Sequence, residues 1–105
     1  MVQVVYQQMD TSQGTISSIT FNIFCKRLYG VYVSYPSTSI KPGWVAFRVK
    51  IKDMAGNVLW THPWKQCLDA DFIDTPPFSG RFQVTIECAA NGSWQKLITI
   101  GVVFE

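Results

Sequence analysis

A chain of 105 residues, 48% hydrophobic and 14% aromatic, makes one domain (1-105) around a two-layer core, with no room for an appended catalytic domain. Its net charge of +2 and scattered cations exclude a phosphate-tracking nucleic-acid binder, and no apolar run reaches the ~20 residues of a membrane span. Charged residues are 15%, against ~25% in ordinary soluble domains, so part of the apolar surface is expected to meet something other than water.

Met1 to Tyr6 carries neither the basic region nor the apolar core of a signal peptide, so the chain is either made without one or starts as a mature secreted protein. Alternation of Val2, Val4 and Tyr6 with Gln3 and Val5 predicts a short first strand, and Asp10 to Gly14 reads as a turn. Thr15 to Cys25 is the second strand, with Ile19, Phe21, Ile23 and Cys25 on one face. Tyr29, Val31, Val33 and Tyr35 share the next face before Pro36 stops the pairing, and Pro36 to Gly43 is a loop.

Val45, Phe47, Val49 and Ile51 are then expected inward, with Trp44, Arg48, Lys50 and Lys52 outward. The turn Asp53-Met54-Ala55-Gly56 has the residues of a type I turn, and pairing Lys52 with Asn57 sets Ile51 opposite Val58 and Val49 opposite Trp60. Pro63 to Pro77 lacks sustained alternation and is expected to be irregular, with one short helical turn around Gln66 to Ala70. Phe82, Val84, Ile86 and Cys88 alternate with polar residues, as do Ile98, Ile100, Val102 and Phe104. The two runs are expected to form a hairpin through Ala90-Asn91-Gly92, pairing Val84 with Ile98 and Phe82 with Ile100. About seven strands of this kind, with turns at short spacing and no amphipathic helix, predict an all-β antiparallel two-sheet sandwich.

Two segments resemble bacterial immunoglobulin-like and fibronectin-III-like domains. Lys50 to Val58 is similar to their hairpin of a charged strand followed by Asp-x-x-Gly-Asn, and Phe78 to Ile86 to their penultimate strand. Phe82 replaces a tyrosine that often makes a corner hydrogen bond, and Trp44 falls on the outward face rather than in the core. The resemblance implies an immunoglobulin-like sandwich used for adhesion, spacing or binding, and it makes Cys25 and Cys88 readable as an inter-sheet pair.

No catalytic site is expected. His62 is the single histidine, it abuts Pro63 at a strand end, and its pairing with Cys67 has no local signature. Three cysteines (Cys25, Cys67 and Cys88) fit one disulfide plus a thiol, or three reduced thiols. Asp69, Asp71 and Asp74 form an acidic loop whose oxygens suit calcium, although the glycine and distal glutamate of known calcium loops are missing. No cofactor is called for. Asn91-Gly92-Ser93 fits a glycosylation acceptor but reads as turn chemistry.

Aromatic side chains carry the functional expectation. Trp64, Trp44, Tyr35, Tyr32 and Trp94, counted with Tyr29, are more than so small a core can bury, whereas Trp60 is placed in it; the first five are the candidate binding residues. Such rings dominate protein interfaces and also stack on pyranose faces. The favoured role is a non-catalytic binding or structural module that engages a protein partner or associates with itself. A carbohydrate-binding module is one alternative and a virion or assembly component another; a secreted, cell-surface or virion setting is favoured over the cytoplasm.

Overall fold

The computed structural model describes residues 1–11, 16–34, 44–67, 70–91 and 96–105. They form eight strands and no helix: β1 (Gln3–Thr11), β2 (Ile16–Cys25), β3 (Leu28–Ser34), β4 (Trp44–Lys52), β5 (Val58–Cys67), β6 (Ala70–Asp74), β7 (Gly80–Asn91) and β8 (Lys96–Phe104). All pairing is antiparallel, in two four-stranded sheets of order β1-β8-β3-β6 and β2-β7-β4-β5. The predicted two-sheet sandwich is therefore present, with eight strands rather than about seven.

The strand pairs are nested. β4 pairs with β5, β3 with β6, β2 with β7 and β1 with β8, so the chain behaves as one long hairpin rolled into two layers. That order is the jelly roll. It differs from the immunoglobulin order implied by the resemblance, in which the first two strands share a sheet; here β1 and β2 lie in opposite sheets.

Alternation decides which side chains enter the core. Val45, Phe47, Val49 and Ile51 of β4, Val84, Ile86 and Cys88 of β7, and Ile98, Ile100 and Val102 of β8 are fully buried. Each apolar side chain removed from water contributes about 1.5–3 kcal/mol before entropy is counted. Ile19, Trp60 and Phe78 pack against this cluster from its margin.

The expected closing hairpin does not form. β7 bonds to β2 and β4, whereas β8 bonds to β1 and β3, so the two runs lie in opposite layers. Period two correctly gave the inward face of each run, but a face does not name its neighbour. Asn91 still belongs to β7, opposite Trp44. Residues 92–95 lie outside those described, as do 35–43, which hold the predicted loop, and 12–15, which hold the rest of the predicted Asp10–Gly14 turn, whereas Asp10 and Thr11 continue β1 instead of turning.

The β4–β5 hairpin is real, with a shifted register. Ile51 faces Trp60, Lys52 faces Val58, and Val49 faces His62, because an irregularity at Ile51/Lys52 leaves Leu59 out of step. In the turn, Gly56 donates its N–H to the Asp53 carbonyl at 3.1 Å, and Asp53 donates its N–H to the Asn57 carbonyl at 2.9 Å. Gly56 takes the φ of +91° that closes it. The Pro63–Pro77 segment is more regular than predicted: β5 runs through Pro63 to Cys67 and β6 follows, leaving no helical turn at Gln66, Cys67 or Ala70. Proline is tolerated there because β5 is an edge strand.

Candidate functional site

The outer face of the β2-β7-β4-β5 sheet is a bonded polar network. Glu87 on β7 accepts from Arg48 Nη2 at 2.8 Å and pairs with Lys50 Nζ at 2.8 Å, both on β4. The hydrogen bond from Arg48, then that from Lys50, holds the Glu87 carboxyl below the usual glutamate range. The Arg48 guanidinium also lies 4.7 Å from the Trp64 ring centroid, where the irregularity between Phe47 and Val49 turns Trp64 outward. Trp64 is thus an exposed ring held by a cation. The β4 backbone places Trp44 opposite Asn91, while Tyr35, Trp94 and the Trp44 side chain lie outside the described residues. The two members of the expected aromatic set whose side chains are described stand apart: Trp64 on one sheet and Tyr32 on the other.

Of the three candidate calcium ligands, Asp71 and Asp74 sit on β6, and Asp69 lies outside the described residues. Asp71 Oδ2 pairs with Lys65 Nζ at 2.9 Å, and its Oδ1 accepts the Phe72 N–H at 2.8 Å. Both oxygens of Asp71 are thereby engaged. Among the described residues, no group of three metal-ligating side chains converges.

His62 and Cys67 occupy β5 backbone positions opposite Val49 and Val45, about 13 Å apart along the strand. His62 Nδ1 lies 2.7 Å from the Pro63 carbonyl. Cys25 and Cys88 face Gly80 and Ser17 at opposite ends of the β2–β7 ladder of one sheet, so the inter-sheet bridge implied by the resemblance does not exist. Burial pushes the Cys25 thiol pKa up, and the thiol points its Sγ to the Phe78 carbonyl at 3.8 Å. An open cleft of about 440 Å³ beside it is lined by Met1, Gln3, Phe24, Lys26, Phe104 and Glu105, and its thiol is held protonated by burial rather than activated.

The outer face of the β1-β8-β3-β6 sheet is different in kind. Tyr6 on β1 stands opposite Gly101 on β8, Gly101 opposite Tyr32 on β3, and Tyr32 opposite Phe72 on β6. One register line thus crosses all four strands, carrying three aromatic rings over three strand spacings, about 14 Å. Glycine makes room for them. A Cβ on Gly101 would lie 2.8 Å from Tyr6 Cε1, and one on Gly30 would lie 2.5 Å from Phe72 Cζ. Val4 and Val103 pair on the next line, extending the apolar strip.

Tyr32 alone of this row was expected from sequence. Tyr6 was missed because Val2, Val4 and Tyr6 share the strip, whereas Gln3, Val5, Gln7 and Met9 stand opposite the inward residues of β8. The available signal was a lone glycine in each of two alternating strands, Gly30 and Gly101, which marks close approach of another group.

No protein-family model matches the chain, and no curated protein matches it. Among solved structures it is similar to a chain of T=1 particles derived from infectious bursal virus, with a TM-score of 0.57 and 10% identity, over 100% of this chain and 32% of that one. It is also similar to a chain of infectious bursal disease virus, Gx strain, with a TM-score of 0.53 and 12% identity, over 99% of this chain and 33% of that one. The chain therefore spans a third of the length of each, and at these identities the likeness is one of fold.

Proposed function

We propose that this protein is a non-catalytic structural component that associates with copies of itself, as a building domain of a virion-type assembly. The observation that carries the reading is the nested strand order, shared in fold over the whole chain with chains of virus particles. The surface supports it. Low charge, an apolar strip from Val4 and Tyr6 to Phe72, and a stretch of β1 without charged side chains from Gln3 to Met9 suit burial against protein better than solvation. Sedimentation over a concentration series, with negative-stain microscopy of the heaviest species, tests the reading. Discrete oligomers or closed particles are expected, and a monomer at every concentration would refute it.

A second reading is favoured by one observation. The row Tyr6, Tyr32 and Phe72 sets three aromatic side chains along one line of the outer sheet face, two of them with phenol groups, a composition suited to stacking on sugar rings. A glycan array separates the two, because assembly requires no glycan signal. Binding lost in Tyr32→Ala would move the function to carbohydrate.

A further inference from the structure

We infer that β1 is the strand through which two copies of this chain pair, edge to edge about a two-fold axis at Val5, fusing their β1-β8-β3-β6 sheets into one of eight strands. The inference rests on the assembly reading above and names the surface that serves it.

β1 is outermost in its sheet and, among the described residues, pairs with β8 alone. Every second residue therefore presents its N–H and C=O to the open side. Both faces are open as well, since every residue from Met1 to Gln8 is exposed. Val5 is the telling position. It stands opposite Val102, which is fully buried, and its side chain points to the core side, yet it remains 42% exposed. The inner face of β1 overhangs the facing sheet, leaving a core-directed valine in water.

Charge separates the two sides of the sandwich. No residue from Val2 to Met9 carries an acidic or basic side chain, and none does in β2, the neighbouring edge of the other sheet. The opposite side, formed by β5 and β6, has Pro63, Lys65, Asp71 and Asp74, with an ion pair across it. Proline and charge are the usual devices that stop an edge from recruiting another strand. In this fold they lie on the β5–β6 side, and the one charged side chain in β1 or β2 is Asp10, beyond the Val2–Met9 stretch.

A second copy is the occupant that β1 fits. Antiparallel neighbours place side chains of one face opposite each other, and in β1 odd positions face inward and even positions outward. With the axis at Val5, that valine meets Val5 of the second copy beneath the sheet, and Gln3 meets Gln7. On the outer face Val4 meets Tyr6, a β-branched and aromatic cross-strand pair that lengthens the apolar strip. No like charges oppose each other, and the contact is isologous and closes on itself.

Three variants test this in the full chain. Under mild oxidation Val5→Cys is expected to give a covalent dimer, because the two positions face each other within disulfide reach. Gln7→Cys is expected to give none, since its opposite number is Gln3. Val5→Lys is expected to shift the sedimenting species from dimer to monomer mass while keeping the parent's melting temperature. If Val5→Cys crosslinks no better than Gln7→Cys, or a folded Val5→Lys keeps the parent's mass, edge pairing at β1 is wrong and the assembly reading survives. A parent that stays monomeric throughout the series removes both.

Discussion

Lys65 Nζ and Asp71 Oδ2 meet at 2.9 Å and tie the edge of one sheet to the edge of the other. Their register explains the contact. Lys65 stands opposite Phe47 and Asp71 opposite Val33, both fully buried, so the two charged side chains occupy core-facing positions at the rim. Their stems cover the margin while their heads close it. The side chains are 41% and 29% exposed, so Asp71→Asn should cost only about 0.5–1 kcal/mol in urea unfolding at low salt, and less at high salt. Because both Asp71 oxygens are engaged, millimolar calcium should leave the melting temperature unchanged. A rise of several degrees would restore the acidic loop as a cation site.

Glu87 provides a pH dependence of known sign. Its folded pKa is depressed, first by the hydrogen bond from Arg48 and then by that from Lys50. The stabilisation is therefore complete above the ordinary glutamate pKa, about 4.3, and is lost as pH falls through the folded value. Urea unfolding between neutral pH and pH 3 should show stability declining in that acid window. Glu87→Gln should flatten that part of the decline. At neutral pH the same variant should cost about 1–2 kcal/mol, because two half-buried cations lose their shared partner. An unchanged acid limb would show that the ion-pair network contributes nothing.

How far the sequence reaches is visible in β7 and β8. Phe82, Val84, Ile86 and Cys88, like Ile98, Ile100, Val102 and Phe104, are inward as their alternation required. Their pairing with each other was the natural inference from a nearby Asn-Gly, yet each run instead meets strands far away in the chain, such as Phe21 opposite Val84 and Val5 opposite Val102. Periodicity is a local property, whereas partner choice depends on which layers the whole chain can close. The same limit hid the site. Trp64 was legible as an aromatic in a segment without alternation, but the row through Tyr6, Tyr32 and Phe72 exists only after three separate pairings align. The Tyr29 position failed for a different reason: an irregularity between Leu28 and Gly30 takes it off the inward face of Val31 and Val33, and its hydroxyl donates to the Glu105 carboxylate.

The two glycines under the aromatic row should respond unequally to a methyl group. At Gly101 the new Cβ meets only side chains, the ring of Tyr6, which is 60% exposed, and Val4 Cγ1 at 3.1 Å. Gly101→Ala should therefore change stability by less than ~1 kcal/mol. At Gly30 the Cβ would lie 2.5 Å from the backbone oxygen of Ile73 as well as from Phe72. That oxygen is fixed by the β3–β6 pairing, so Gly30→Ala should cost about 1–3 kcal/mol. Thermal melts of the two variants decide the matter, and equal losses would mean that the rings do not rest on glycine.

Trp64 and Trp60 lie on the same strand and should behave differently when truncated. Trp64 is 39% exposed, and the Arg48 guanidinium lies 4.7 Å from its ring centroid. Trp64→Ala gives up a cation–π contact of about 0.5–1 kcal/mol and part of a half-open ring surface, so a total loss of about 1–2 kcal/mol is expected. That is well short of the ~3–5 kcal/mol that follows removal of a core aromatic. Trp60 packs against the buried cluster and faces Ile51, so Trp60→Ala should approach the larger figure. Denaturant melts of both proteins provide the check. A Trp64 loss as large as that of Trp60 would make the ring a structural wedge and remove it as a contact residue for any partner.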